Sequence, residues 1–284
     1  MSESKMNLTV FPAKEANVNA FIFSDSKGTL IVDCTRNSKE AHELATVAKS
    51  KGTTPQQLLI THGHPDHYMG MGALKQEFPK LNIVVARQEI KDDIIGFTKW
   101  MESMKWLESE PGMKTKSEQN PGGFDYENEI KVLDSNELTL PGGSVLALDT
   151  DSPPSEAAHE TIIYSKELGV LFASDLVYNE VHLWLGPGVT RENAIKWKSQ
   201  LDTLKTKYEP MKVKVYPGHG KPTTTAIFDV DKKYIDDLIQ SVKEAKSEDE
   251  TKNTMIKLYP NWASPEFLLV QSIRFQMQEE HRSA

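Results

Sequence analysis

A cluster of histidines at residues 61–70, Thr-His-Gly-His-Pro-Asp-His-Tyr-Met-Gly, constrains this chain more than any other stretch. His62, His64, Asp66 and His67 put three imidazoles and a carboxylate into six consecutive positions. Leu58, Leu59 and Ile60 precede them and read as the end of a buried strand. Gly63 and Pro65 then exclude regular helix and regular strand. A compatible fold must end a core strand in an irregular loop whose side chains converge. Neutral imidazole and carboxylate are ligands of zinc-like cations, so the loop reads as a metal-binding segment.

The flanking sequence sets the fold class. Residues 18–23 and 30–32 read as strands joined by a turn that uses Gly28. Residues 38–50 read as a helix with Ala41, Leu44, Val47 and Ala48 on one face, and His42 falls on the other. After the histidine loop come a short helix from about Gly70 and a strand at 81–86. Residues 89–107 place Ile90, Ile94, Phe97, Trp100, Met101, Met104 and Leu107 at helical spacing, with Trp106 beside them. Such a stripe is core or one wall of a substrate pocket. Residues 108–126 read as an exposed loop. Short strands are predicted at 129–133, 137–140 and 145–149, and a hairpin at 161–164 and 170–173. A helix at 192–208, a strand at 212–216 and a helical tail complete an α/β (α+β) pattern.

Composition narrows the function classes. The chain has 284 residues, enough for a sizeable core. Its net charge of −8 argues against a phosphate-backbone partner, so no nucleic acid is expected. The single cysteine, Cys34, excludes an internal disulfide and reads as a buried thiol. No signal-like apolar core opens the sequence, and no run approaches the roughly 18 apolar residues of a membrane span. A soluble, cytoplasmic protein with no membrane partner is expected.

The cluster has the form His-x-His-x-Asp-His and resembles the signature of the metallo-β-lactamase-fold superfamily, with glyoxalase II-like and lactonase-like members in view. The resemblance implies a four-layer αβ/βα sandwich over residues 7–225 and a helical C-terminal extension, 226–284, packed on the same domain. It also implies ligands far from the loop. Phe172-Ala173-Ser174-Asp175 is similar to the family's Phe-x-Gly-Asp, with Ser174 for the glycine, so Asp175 is expected to bridge two metals. Pro217-Gly218-His219-Gly220 is similar to the family's Pro-Gly-His-Gly, so His219 is an expected ligand. The family's Gly-His-Thr has no direct counterpart. Gapless register puts Glu156 in its place, whereas residue type favours His159 three positions later. Asp33 either supports the metal loop from beneath or caps a strand-end turn.

In this scheme one metal sits on His62, His64 and Glu156 or His159, and the other on Asp66, His67 and His219. The implied cofactor is a pair of zinc ions, with manganese or iron as options. The implied reaction is hydrolysis of a small-molecule ester, lactone or thioester by a metal-bridged hydroxide. Asp66, Tyr178 and His182 are the residues expected at the chemistry. Tyr178 stands three positions after Asp175, as in lactonases of the family, and either polarises a carbonyl or packs under the loop. His182 either gives a proton to the leaving group or packs. His64 stands where redox di-iron members carry Glu, which favours hydrolysis. An iron-dependent persulfide dioxygenase and a non-catalytic metal-binding protein are the alternatives. Oligomeric state is not encoded in any of these features.

Overall fold

The computed structural model describes residues 6–283. The chain divides into two compact units. The first runs up to Thr150 and takes in His159–Leu168; the second comprises Asp151–Ala158 and everything from Gly169 onward.

The first unit opens with an antiparallel meander of β1 (Asn7–Pro12), β2 (Asn19–Ser24) and β3 (Thr29–Val32). The turn between β2 and β3 closes on Asp25, whose carboxylate accepts from the backbone N–H of Lys27 and Gly28 at 2.8 Å. Helix α1 (Ser38–Lys49) starts where the Asn37 side chain accepts from the N–H of Glu40. The order is then β4 (Pro55–Ile60), α2 (Pro65–Tyr68), α3 (Met71–Glu77), β5 (Asn82–Val85), α4 (Gln88–Ser103), α5 (Tyr126–Glu129) and β6 (Ile130–Val132). Strands β3 to β6 pair in parallel, so helices must carry the chain back between them. One face of this sheet packs Ile22, Ile31, Leu58, Ile60 and Ile83 against Leu44 of α1, Leu74 of α3 and Ile94 of α4. Phe21, Phe23, Leu30, Leu59 and Val84 point the other way and are also buried, as expected of a parallel sheet. An antiparallel run, β7 (Glu137–Thr139), β8 (Val145–Asp149) and β9 (Ile162–Ser165), completes the unit.

In the second unit β10 (Val170–Phe172) leads through a 3₁₀ turn, Ser174–Leu176, to the two-residue β11 (Tyr178–Asn179). Helix α6 (Arg191–Tyr208) begins where Thr190 accepts from the N–H of Asn193. Strand β12 (Lys214–Tyr216) lies parallel to β10, β13 (His219–Gly220) parallel to β11, and β14 (Thr223–Thr224) antiparallel to β12. The tail forms α7 (Ile227–Glu244), α8 (Glu248–Leu258), a π-helical turn at Pro265–Leu269 and α9 (Val270–Ser283). Among the described residues, no helix is long and apolar enough to cross a membrane.

The expected stripe at 89–107 is two faces rather than one. Ile90, Ile94, Met101 and Leu107 are core, whereas Phe97 is half-buried and Trp100 and Met104 are exposed. Helix α4 also ends earlier than its pattern. Lys105 takes a left-handed φ of 59°, with its N–H bonded to Glu102 O and that of Trp106 to Met101 O. This is the Schellman arrangement, formed here around a lysine rather than a glycine.

Candidate metal centre

The histidine loop belongs to the first unit. Strand β4 ends at Ile60, and the loop is tied down at once: Thr161 N–H donates to Thr61 O at 2.9 Å, and His62 bridges Glu160. Pro65 opens α2, where its missing N–H costs no helical bond, and that turn of helix carries Asp66 and His67. The result is a knot of imidazoles. The His62 ring centroid lies 4.2 Å from that of His67 and 4.8 Å from that of His64. His62 and His67 are buried, while His64 and Asp66 are half-exposed, so the loop opens on the side of the latter pair.

Asp33 supports the loop from below. Its Oδ1 accepts from Thr61 N–H at 2.9 Å, its carboxylate takes the Thr61 hydroxyl, and its Oδ2 lies 2.8 Å from His67 Nδ1. With that carboxylate as acceptor, the His67 proton sits on Nδ1 and the lone pair on Nε2. The Thr61 hydroxyl, donating to Asp33, accepts in turn from His62 Nδ1 at 3.0 Å. Both rings are thereby fixed in the tautomer that presents Nε2 as a ligand atom, the usual way a protein prepares a metal-binding histidine. The supporting backbone is strained, with positive φ at Asp33 (58°) and Thr35 (73°). Two glycines let neighbours close in. A Cβ on Gly63 would lie 2.7 Å from Asp93 Cβ of α4, and one on Gly70 would lie 1.9 Å from Cys34 O. Burial, aided by the Asp33 charge, pushes the Cys34 thiol well up, so it is inert and protonated, with Sγ donating to His67 O.

The second unit builds its own cluster. Asp175 sits in the 3₁₀ turn after β10, and the preceding Ser174 has a left-handed φ of 48°. That conformation gives the expected glycine column its physical meaning: the position calls for freedom in φ, not only for small size. A Cβ on Gly218 would fall 1.8 Å from Asp175 Oδ1, so this glycine leaves the room the carboxylate occupies. His219 Nε2 lies 3.1 Å from Asp175 Oδ2. The pairing of β11 with β13 sets Tyr178 opposite His219, and their rings stack at 4.6 Å, 1° from parallel. The Tyr178 hydroxyl faces two carboxylates, Asp175 Oδ2 at 3.0 Å and Glu156 Oε1 at 3.2 Å.

The remaining expected residues part company. Glu156 is buried beside Tyr178. His159 lies in the first unit, half-exposed, with Nδ1 2.8 Å from Asp93 Oδ2 on α4. His182 is buried among aromatic rings, with Nδ1 2.9 Å from the Tyr234 hydroxyl and Trp262 nearby. Burial alone holds its pKa down to about 4, so at neutral pH it has no proton to give. Sequence reasoning missed Thr61, Asp93 and Asp231. Asp231 on α7 accepts from the Tyr178 N–H at 3.0 Å, and burial pushes its carboxyl well above the carboxylate range. Thr61 was adjacent to the motif and open to inspection; Asp93 and Asp231 had no local signal.

Three imidazoles and a carboxylate in one unit, and two carboxylates with an imidazole in the other, are donor sets suited to divalent cations. A family model described as the metallo-beta-lactamase superfamily matches residues 13–219. Hydroxyacylglutathione hydrolase of Xanthomonas campestris pv. campestris is 32% identical over 79 residues, 28% of this chain and 29% of that protein. The same enzyme name from Hamiltonella defensa goes with 33% identity over 78 residues, 28% of this chain and 30% of that one. The match thus spans less than a third of the length of these curated relatives. Among solved structures, a metallo-beta-lactamase family protein from Thermus thermophilus aligns with a TM-score of 0.68 at 17% identity, over 98% of this chain and 94% of its own. A metallo-beta-lactamase from Pontibacter korlensis aligns at 0.53 with 16% identity, over 83% and 96%.

Proposed function

The chain belongs to the metallo-β-lactamase superfamily and carries its fold with a helical C-terminal extension, and from that premise we propose that it is a metal-dependent hydrolase of a small-molecule ester, lactone or thioester. In this reading the candidate ligands are His62, His64, Asp66 and His67 of the first unit and Glu156, Asp175 and His219 of the second, with zinc as the resident metal. Divalent ions held there would polarise a carbonyl and lower the pKa of water. The observation that carries the reading is the preparation of the histidines: Asp33 and Thr61 lock His67 and His62 in the ligand tautomer. His64 keeps the loop's donor set less anionic than a carboxylate at that position would, which suits hydrolysis. Glu156, in contrast, adds negative charge where relatives of the family carry an imidazole, and favours an already activated carbonyl.

The protein's own groups do the positioning. Tyr178 orients the Glu156 and Asp175 carboxylates through its hydroxyl, and Asp33 orients His67. His182 is neutral and packed, so the proton for the leaving group comes from elsewhere. Of the two alternatives, this reading takes Glu156, buried beside Tyr178, as the candidate ligand, because His159 is paired with Asp93 of α4. The relatives named hydroxyacylglutathione hydrolase support acyl transfer to water as the reaction class.

The test is a panel of lactones, thioesters and aryl esters assayed with zinc-, manganese- and iron-loaded protein, beside elemental analysis of the protein as purified. The reading expects two zinc-like ions per chain and hydrolysis that disappears in His62→Ala. A single iron with oxygen uptake on a persulfide, or no turnover in any metal form, overturns it.

A further inference from the structure

We infer that the substrate carries an extended apolar tail, and that Phe97, Trp100 and Trp106 bind it beside the histidine loop. The inference rests on the hydrolase reading and names its substrate class: acyl compounds with a medium or long aliphatic chain. A continuous run of rings leads away from the open side of the loop. The His64 and Phe97 centroids are 6.1 Å apart at 70°, those of Phe97 and Trp100 5.3 Å at 83°, and those of Trp100 and Trp106 4.8 Å at 74°. All three contacts are edge-to-face, the arrangement aromatic rings prefer.

The run is exposed where it has no structural need to be. Trp100 is 44% exposed, Met104 50% and Trp106 54%, while the core positions of the same helix, Ile90, Ile94 and Met101, are fully buried. The C-terminal cap of α4 asks only for some apolar residue at 106 to touch the last turn. A tryptophan stacked on a second tryptophan is far more apolar surface than that contact requires. Isolated exposed hydrophobics are ordinary, but a contiguous apolar strip marks a binding surface. This strip begins at His64, a half-exposed residue of the candidate centre, so an acyl group held there would lay its tail along the rings. Gly96, exposed on the same helix with nothing within 4 Å of an added Cβ, leaves the approach open.

The experiment uses the full-length protein in two arms. In the first, p-nitrophenyl acetate, hexanoate and decanoate are compared with the metal-loaded protein. The ratio of kcat/KM for decanoate over acetate is expected to exceed ten in the native protein and to fall about tenfold in Trp100→Ala/Trp106→Ala, mainly through KM. In the second, decanoic acid is titrated into metal-free protein and followed by tryptophan fluorescence and by calorimetry. Saturable binding is expected in the native protein, with a loss of about tenfold in affinity in the double variant. Trp106→Ser, which lies outside the helix, guards against a folding artefact and is expected to give a smaller loss in both arms. Binding without turnover upholds the apolar site while the hydrolase reading fails. Turnover with a chain-length ratio indifferent to all the variants overturns the inference. So does a double variant that changes only self-association or vesicle binding.

Discussion

Asp33 shows how one buried carboxylate organises a site it does not enter. It accepts from the Thr61 N–H and hydroxyl and from His67 Nδ1, all from a backbone position of positive φ. Asp33→Asn keeps the shape but offers a donor where His67 Nδ1 donates. Metal affinity is expected to drop about 10- to 100-fold, read by competition with a chelator of known affinity. Tyr178 acts at the other cluster by a different route. Its hydroxyl bears on Glu156 and Asp175, and its ring stacks on His219. Tyr178→Phe keeps the stack and removes only the hydroxyl. A fall in kcat/KM of roughly 10- to 100-fold is expected, the cost of one hydrogen bond to a charged group. Metal content of the variant, measured in parallel, separates loss of positioning from loss of the ion.

Helix α4 is where the sequence pattern and the element diverge most usefully. Its apolar positions form one helical stripe, yet Ile90, Ile94 and Met101 are buried in the core, Phe97 packs at its edge beside His64, and Trp100 is exposed. The helix is pressed against the histidine loop at Gly63, which has no room for a Cβ beside Asp93. Its end is held by a lysine in a conformation that glycine prefers. Lys105→Gly relieves that strain and is expected to stabilise the protein by about 0.5–1 kcal/mol, measured as a shift of the urea midpoint. A loss instead would mean that the Lys105 side chain contributes a contact larger than the strain.

At the scale of the molecule, the buried His182 ties stability to pH. Its folded pKa is about 4 against an ordinary value of 6.5, because burial disfavours the charged ring. Above pH 6.5 the ring is neutral folded and unfolded. As the pH falls toward 4 the unfolded chain takes up a proton that the folded chain refuses, and on the order of 3 kcal/mol of stability is lost. The urea midpoint is therefore expected to fall more steeply between pH 6.5 and 4 in the native protein than in His182→Phe. Equal slopes would show that His182 is protonated in place. The same burial explains why a histidine that read from sequence as a possible acid is a packing group: its neighbours Tyr234 and Trp262 come from α7 and from the segment after α8, far along the chain.

The sequence by itself determined the parts whose signal is local. The α/β order and the superfamily were legible because the family's motifs, in the histidine loop and at Asp175 and His219, are particular residue types at a particular spacing, and because helix and strand patterns repeat over a few residues. Only the tertiary structure decided what depends on residues meeting across the chain. Glu156 and His159 stand three positions apart with equally suitable chemistry, yet one is buried at Tyr178 and the other pairs with Asp93. Ser174 read as a small-for-small replacement until its backbone angle showed why glycine belongs there. The α4 stripe read as one face because periodicity records which side chains share a direction, not how far the neighbouring layer extends to cover them. Burial and partnership are properties of the assembled chain, and no window of sequence contains them.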